Sequence, residues 1–214
     1  MCSLRRIKVA PKPVRIVAVA VVPMILASVV GVERWYAGYY LNNDEWGVSA
    51  RIKTIDPSVH GSMLCEWVCV ILSYYPLNWV QVGYAKRPWP IGRDYYVEKN
   101  DTIGYDRDFF GTPAADSWHT YNITPGAYGE WMCHIDGDEE ADWTTDPEEP
   151  VDLQALVESF DTDIEIDGTD FRDISYFNTG NDHWYLWYQC TEVEDDPYYV
   201  VYVYDYWFLA WGGG

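Results

Sequence analysis

The stretch Asn78-Trp79-Val80-Gln81-Val82-Gly83-Tyr84 decides how the rest of the chain is read. Successive side chains of a β-strand point to opposite faces, so Trp79, Gln81 and Gly83 share one face and Val80, Val82 and Tyr84 the other. The second set is apolar and predicts a side turned to a core. The first places an amide between an indole and a glycine, on the more open face, where a purely structural strand has no need of one. Gln81 is therefore either a chemical group or a polar residue on a wetted sheet.

Working outward, Leu64–Tyr75 is a long apolar strand, and Pro76-Leu77-Asn78 turns it into Trp79–Lys86, giving a hairpin. Trp46–Ile55 alternates in the manner of a half-buried strand and stops at Asp56-Pro57. Further strands are expected at Asp94–Lys99, Trp118–Thr124, Gly129–Ile135, Val151–Asp161, Phe171–Asn178 and His183–Gln189, with a turn-edge piece around Ile164 and Ile166. The tail Tyr198–Trp211 reads as one continuous aromatic and β-branched run. Glu33–Asn43 reads as a lead-in, and Asn100–Ser117 and Asp138–Pro150 as loops. About ten short strands, turn signals between them and no amphipathic helix predict an all-β antiparallel β-sandwich or jelly roll. The expected organisation is a segment 1–31, a sandwich over 32–190 and an aromatic C-terminal strand or extension over 191–214.

Segment 1–31 carries Arg5, Arg6, Lys8, Lys12 and Arg15 ahead of the uncharged, mostly apolar run from Ile16 to Val32. Basic residues before such a run predict either a cleaved export signal or a retained membrane anchor, and hence a secreted or cell-surface protein. This segment holds five of the 14 Lys+Arg and none of the 34 Asp+Glu, so the remainder has a net charge of −25. Such a surface repels nucleic acid and anionic membranes, leaving the N-terminal segment as the expected membrane contact if it is not cleaved. Beyond Cys2, four cysteines (Cys65, Cys69, Cys133, Cys190) in an exported chain suggest up to two disulfides. Cys65 and Cys69 on one strand stand ~13 Å apart and cannot pair with each other.

Familiar catalytic motifs are absent, and the four histidines (60, 119, 134, 183) lack ligand spacing. Ser, His and Asp residues occur throughout, but spacing alone nominates no triad. The acidic runs Asp136–Glu140 and Asp161–Asp170 offer oxygen ligands for Ca²⁺, although the second does not follow the EF-hand pattern, because position twelve from Asp163 is Ile174. A solvated acidic edge is the simpler reading, with no metal or other cofactor expected.

The order of motifs from Trp46 to Tyr176 resembles that of the eqolisin family of glutamic peptidases, which are concanavalin-like jelly rolls. The family's run "VSATANVP", "AWVGI", "LQTGV", "WYEWYP" and "IIEDFE" has counterparts here. They are Val48-Ser49-Ala50-Arg51-Ile52 running to Pro57, Glu66-Trp67-Val68-Cys69-Val70, Val80-Gln81-Val82-Gly83-Tyr84, Tyr95-Tyr96-Val97-Glu98 and Leu156-Val157-Glu158-Ser159-Phe160-Asp161. The resemblance implies that Gln81 and Glu158 are catalytic, and that Trp67, Tyr96 and Glu98 line the substrate face; Trp79, on the same face of its strand as Gln81, is a further candidate for substrate contact. Tyr96 stands where the family has Trp, and Ala85 or Lys86 where it has an acid.

In such a pair the carboxylate takes a proton from water and the amide donates to the oxyanion. Like-charge proximity to Glu98 is expected to raise the pKa of Glu158. The function so implied is exported peptide-bond hydrolysis, with a polypeptide substrate. The alternative is a non-catalytic secreted sandwich that binds extracellular glycans or matrix and assembles through its C-terminal strand.

Overall fold

The structure, a computed structural model, describes residues 33–42, 45–127, 129–145 and 149–214; the segment read as signal or anchor lies outside the described residues. Fifteen strands run in chain order among them. The first five are β1 (Trp35–Leu41), β2 (Val48–Lys53), β3 (Leu64–Tyr74), β4 (Leu77–Arg87) and β5 (Gly92–Asn100). Then come β6 (Tyr105–Phe110), β7 (Trp118–Pro125), β8 (Glu130–Ile135), β9 (Asp138–Thr144) and β10 (Asp152–Ser159). The last five are β11 (Ile166–Asn178), β12 (His183–Leu186), β13 (Thr191–Glu194), β14 (Tyr198–Tyr204) and β15 (Trp207–Gly212).

One sheet has seven strands in the order β13-β1-β10-β3-β4-β5-β6. The other has eight, β14-β15-β11-β2-β7-β8-β9, with β12 paired onto β11. The chain is an all-β antiparallel sandwich. Its inter-sheet core takes Val68, Val80, Val82 and Tyr84 from the first sheet and Ile52, Tyr121, Ile123 and Phe171 from the second. A second apolar cluster lies on the outer face of the seven-stranded sheet and includes Trp67, Trp79, Tyr96 and Leu156. Burial on both faces explains why β3 reads as an almost unbroken apolar run rather than an alternating one.

Five expectations need correction. The presumed loop 100–117 contains β6, and the presumed loop 138–150 contains β9; both are edge strands, so their polar, exposed sequences lack the alternation that marks a half-buried strand. The lead-in is β1, which lies between β10 and β13. The tail is a hairpin, folded back between Tyr204 and Trp207 at Asp205. Ile166 and Phe171–Asn178 belong to one strand, whose register shifts between Arg172 and Ser175, where Asp173 has φ 54°.

The disulfide expectation fails as well, because all four described cysteines are free. Cys65 and Cys69 face the outer cluster whereas Cys133 lies in the inter-sheet core, so the sheet itself separates them. Strand β14 pairs with β15 of its own chain, and its Tyr198 and Val200 amides already donate to the Asp195 carbonyl and the Glu194 carboxylate.

The inter-sheet core also takes in a carboxyl. Glu66 follows Leu64 and precedes Val68 on the inward face of β3 and accepts a 2.6 Å hydrogen bond from the Thr169 hydroxyl of β11. Desolvation pushes its pKa up to about 8, against the pull of the Thr169 and Tyr84 hydroxyls.

Candidate functional site

The pairing of β10, β3, β4 and β5 fixes where the sequence-derived residues fall. Along β3, Cys65 is opposite Glu158 on one side and Ala85 on the other. Trp67 is opposite Leu156 and Gly83, and Cys69 is opposite Gln154 and Gln81. Gln81 in turn faces Glu98, and Gly83 faces Tyr96. Gln81, Glu98, Tyr96, Trp67, Trp79 and Glu158 therefore emerge on a single face, the outer face of the seven-stranded sheet. Gln81 and Glu158 are two strands apart and staggered by four residues along β3, with the row Tyr96–Gly83–Trp67–Leu156 between them.

Gln81 and Glu158 do not bond to each other. The Gln81 amide nitrogen donates to the Tyr96 hydroxyl at 2.5 Å, and its Oε1 has no hydrogen-bond partner. Glu158 Oε1 accepts from Arg34 at 2.6 Å and from the Tyr36 hydroxyl at 3.2 Å. Glu98 accepts from Tyr105 at 2.7 Å and pairs with Arg107. All three polar side chains are enclosed: Gln81 is 0%, Glu158 2% and Glu98 4% exposed. Trp67, Trp79 and Tyr96 are buried too, so they form the wall of the site rather than open stacking platforms.

Burial sets the electrostatics. Desolvation is the main cause that raises the Glu158 pKa above the usual carboxylate range, while Arg34 and Tyr36 pull it down. Desolvation raises Glu98 as well, with Arg107 and Tyr105 opposing and the Glu158 charge adding a smaller push upward. The like-charge push expected on Glu158 falls instead on Glu98, where it is secondary to desolvation. Farther along the face, the buried Asp152 accepts from Tyr74 at 2.6 Å, and desolvation pushes its pKa up to about 7.

Four functional neighbours escape a reading of the sequence: Arg34 and Tyr36 from the presumed lead-in, and Tyr105 and Arg107 from a presumed loop. The available signal was the aromatic, β-prone run Trp35–Leu41 and the alternation of Tyr105, Arg107 and Phe109. The Arg34 guanidinium stacks on Phe160, 4.8 Å from the ring centroid, and Phe160 borders a surface cavity of about 530 Å³ that Met63, Arg87 and Ile91 also line. The acidic runs gather no metal site: no group of three or more His, Cys, Asp or Glu among the described residues is arranged to hold an ion.

No protein-family model matches the chain, and no curated protein sequence does. Solved structures similar to it include scytalido-glutamic peptidase with a transition-state analogue inhibitor, at TM-score 0.61 and 13% identity over 86% of this chain and 100% of that one. The same peptidase with a peptide-based transition-state analogue gives 0.59 and 14% over the same shares. SCP-B, a member of the eqolisin family of peptidases in complex with the tripeptide Ala-Ile-His, gives 0.56 and 12%, again over 86% and 100%. At these identities the likeness is one of fold.

Proposed function

We propose that the chain is an exported hydrolase that cleaves peptide bonds on the outer face of the seven-stranded sheet, with Glu158 as general base and Gln81 as oxyanion donor. The observation that carries this reading is that Gln81 and Glu158 share one sheet face on either side of the Trp67–Gly83 row. Because the row and both polar groups are buried, a substrate backbone must open this face before it meets the carboxylate on one side and the amide on the other. Solved structures of this fold hold transition-state analogues and a tripeptide, which supports a polypeptide as the substrate class. The basic and apolar segment 1–31 supports export.

Glu158 takes a proton from a water molecule as that water attacks the carbonyl, then returns it to the departing amine. The Gln81 amide, which keeps its protons at any working pH, donates to the oxyanion and contributes about 3 kcal/mol in comparable sites. Above its raised pKa Glu158 is a carboxylate held by Arg34; below it the acid is neutral and the ion pair is lost. Turnover therefore rises as pH climbs through that pKa and levels off once Glu158 is ionised.

Removing Arg34 deletes a group that lowers the Glu158 pKa, so Arg34→Ala is expected to shift that rise to higher pH. The assay is cleavage of a denatured protein between pH 2 and 8. Glu158→Gln is expected to lose about 1,000-fold and Gln81→Ala about 100-fold. Undiminished cleavage by Glu158→Gln would rule the mechanism out.

One observation favours a second reading, a non-catalytic sandwich that binds glycans or matrix: both carboxylates already have arginine partners behind buried aromatic walls. Saturable binding on a glycan array by protein with no measurable proteolysis would establish it.

A further inference from the structure

We infer that Ser117, His119 and Asp136 form a second reactive centre, an acyl-transfer site for small esters at the rim of the sandwich. It is separate from the Gln81–Glu158 face. Tyr96 points to that face, whereas its neighbour Tyr95 points the other way, and Tyr95 packs against His119 with ring centroids 5.3 Å apart.

Three pieces of local structure assemble the centre. Ser117 immediately precedes β7 and His119 is its second residue, so the two are positions i and i+2 and share a side. Asp136-Gly137 is the two-residue turn joining β8 to β9, with φ of 55° and 92°, values that Asp tolerates and Gly favours in such a hairpin. The turn is tied to β7 by reciprocal bonds: the Asp136 amide donates to the Thr120 carbonyl at 2.8 Å, and the Thr120 amide donates to Asp136 Oδ1 at 2.8 Å. This leaves Oδ2 aimed at the imidazole.

Asp136 Oδ2 is 2.6 Å from His119 Nδ1, and His119 Nε2 is 2.6 Å from Ser117 Oγ. An ionised carboxylate only accepts, so Nδ1 carries the imidazole hydrogen and Nε2 of the neutral ring is left to accept the serine proton. The Ser117 hydroxyl also donates to the Ala114 carbonyl at 2.5 Å, so its single hydrogen must turn from that carbonyl to Nε2 before Oγ attacks. The Tyr95 hydroxyl lies 3.1 Å from Nδ1 and 3.2 Å from Nε2. Desolvation pushes the Tyr95 pKa up to about 12, so it remains a protonated donor beside the ring. The His119 side chain is 15% exposed and that of Asp136 48%, which leaves the centre open to solvent and to small substrates rather than to a long chain in a cleft.

The reaction follows from this arrangement. Ser117 Oγ forms a bond to the acyl carbon as its proton passes to His119 Nε2. The ester C–O bond then breaks, and the departing oxygen takes that proton. Water repeats the exchange and releases the carboxylic acid, which restores Ser117.

A fluorophosphonate probe tests the proposal on the full chain, since the Oγ–P bond forms as fluoride leaves and the proton goes to His119. The expected result is an adduct on the peptide containing Ser117, absent in Ser117→Ala. Its rate of formation should fall at least about 100-fold in His119→Gln and in Asp136→Asn, and stay unchanged in Glu158→Gln. The Asp136→Asn change, at an exposed turn, keeps the experiment readable if His119→Gln does not fold. No adduct at Ser117, or one that forms as fast in these two variants as in the wild type, overturns the proposal. In that case the hydrogen bonds only tie the loop before β7 to the β8–β9 turn.

Discussion

The Glu66→Gln variant is expected to withstand markedly more urea than the wild type at pH 9, and nearly the same urea at pH 4.5. Glu66 is fully buried between the sheets, and desolvation pushes its pKa up to about 8, from an ordinary value of 4.5. Between those two values the folded chain holds a proton that the unfolded chain has released, so stability falls as pH rises through this window and is level above it. Each unit of difference is worth about 1.4 kcal/mol, which puts the full loss at about 5 kcal/mol. Glutamine keeps the acceptor for Thr169 and has no proton to lose. Urea midpoints measured from pH 4 to 9 check this, and parallel curves for the two proteins would refute it.

Gly83→Ala is expected to cost about 3 kcal/mol or more. A Cβ at this position would lie 2.1 Å from the Glu66 carbonyl oxygen and 2.8 Å from Trp67 Cα, both on β3. Those are backbone atoms of a central strand, so the β3–β4 pair must separate, and nothing flexible can yield instead. Gly61→Ala is the control. Gly61 has φ +87°, and no atom lies within 4 Å of its added Cβ, so only backbone strain of about 1–2 kcal/mol is expected there. Equal losses in thermal or urea unfolding would show that the close approach is not what fixes Gly83.

The sequence made the strands that face a core legible. Val80, Val82 and Tyr84 alternate with Trp79, Gln81 and Gly83 because the two sides of β4 meet different surroundings; that Glu98 and Glu158 share the Gln81 face comes from strand register, which this alternation does not display. Edge strands have no such contrast, and Tyr105–Phe110 and Asp138–Thr144 look like loops for that reason. The partners of the two carboxylates were hidden for a different reason. Arg34 reaches Glu158 across 124 positions, and no local periodicity encodes which strand will lie beside which. The Ser117–His119–Asp136 constellation is intermediate: the i, i+2 pair needs only β7, but Asp136 arrives through the β7–β8 register, which the sequence does not display.

The position of β1 has a kinetic consequence. Both its neighbours, β10 and β13, come from beyond residue 150, so the first described strand to be synthesised finds no pairing partner until most of the chain exists. Closing a loop of that length comes before any of the contacts that reward it, which places Arg34 and Tyr36 among the late arrivals in folding. An incomplete chain that stops short of residue 152 lacks both Glu158 and the strand that joins β1 to β3. The proposed outer-face chemistry is thus withheld from nascent and truncated chains by topology alone.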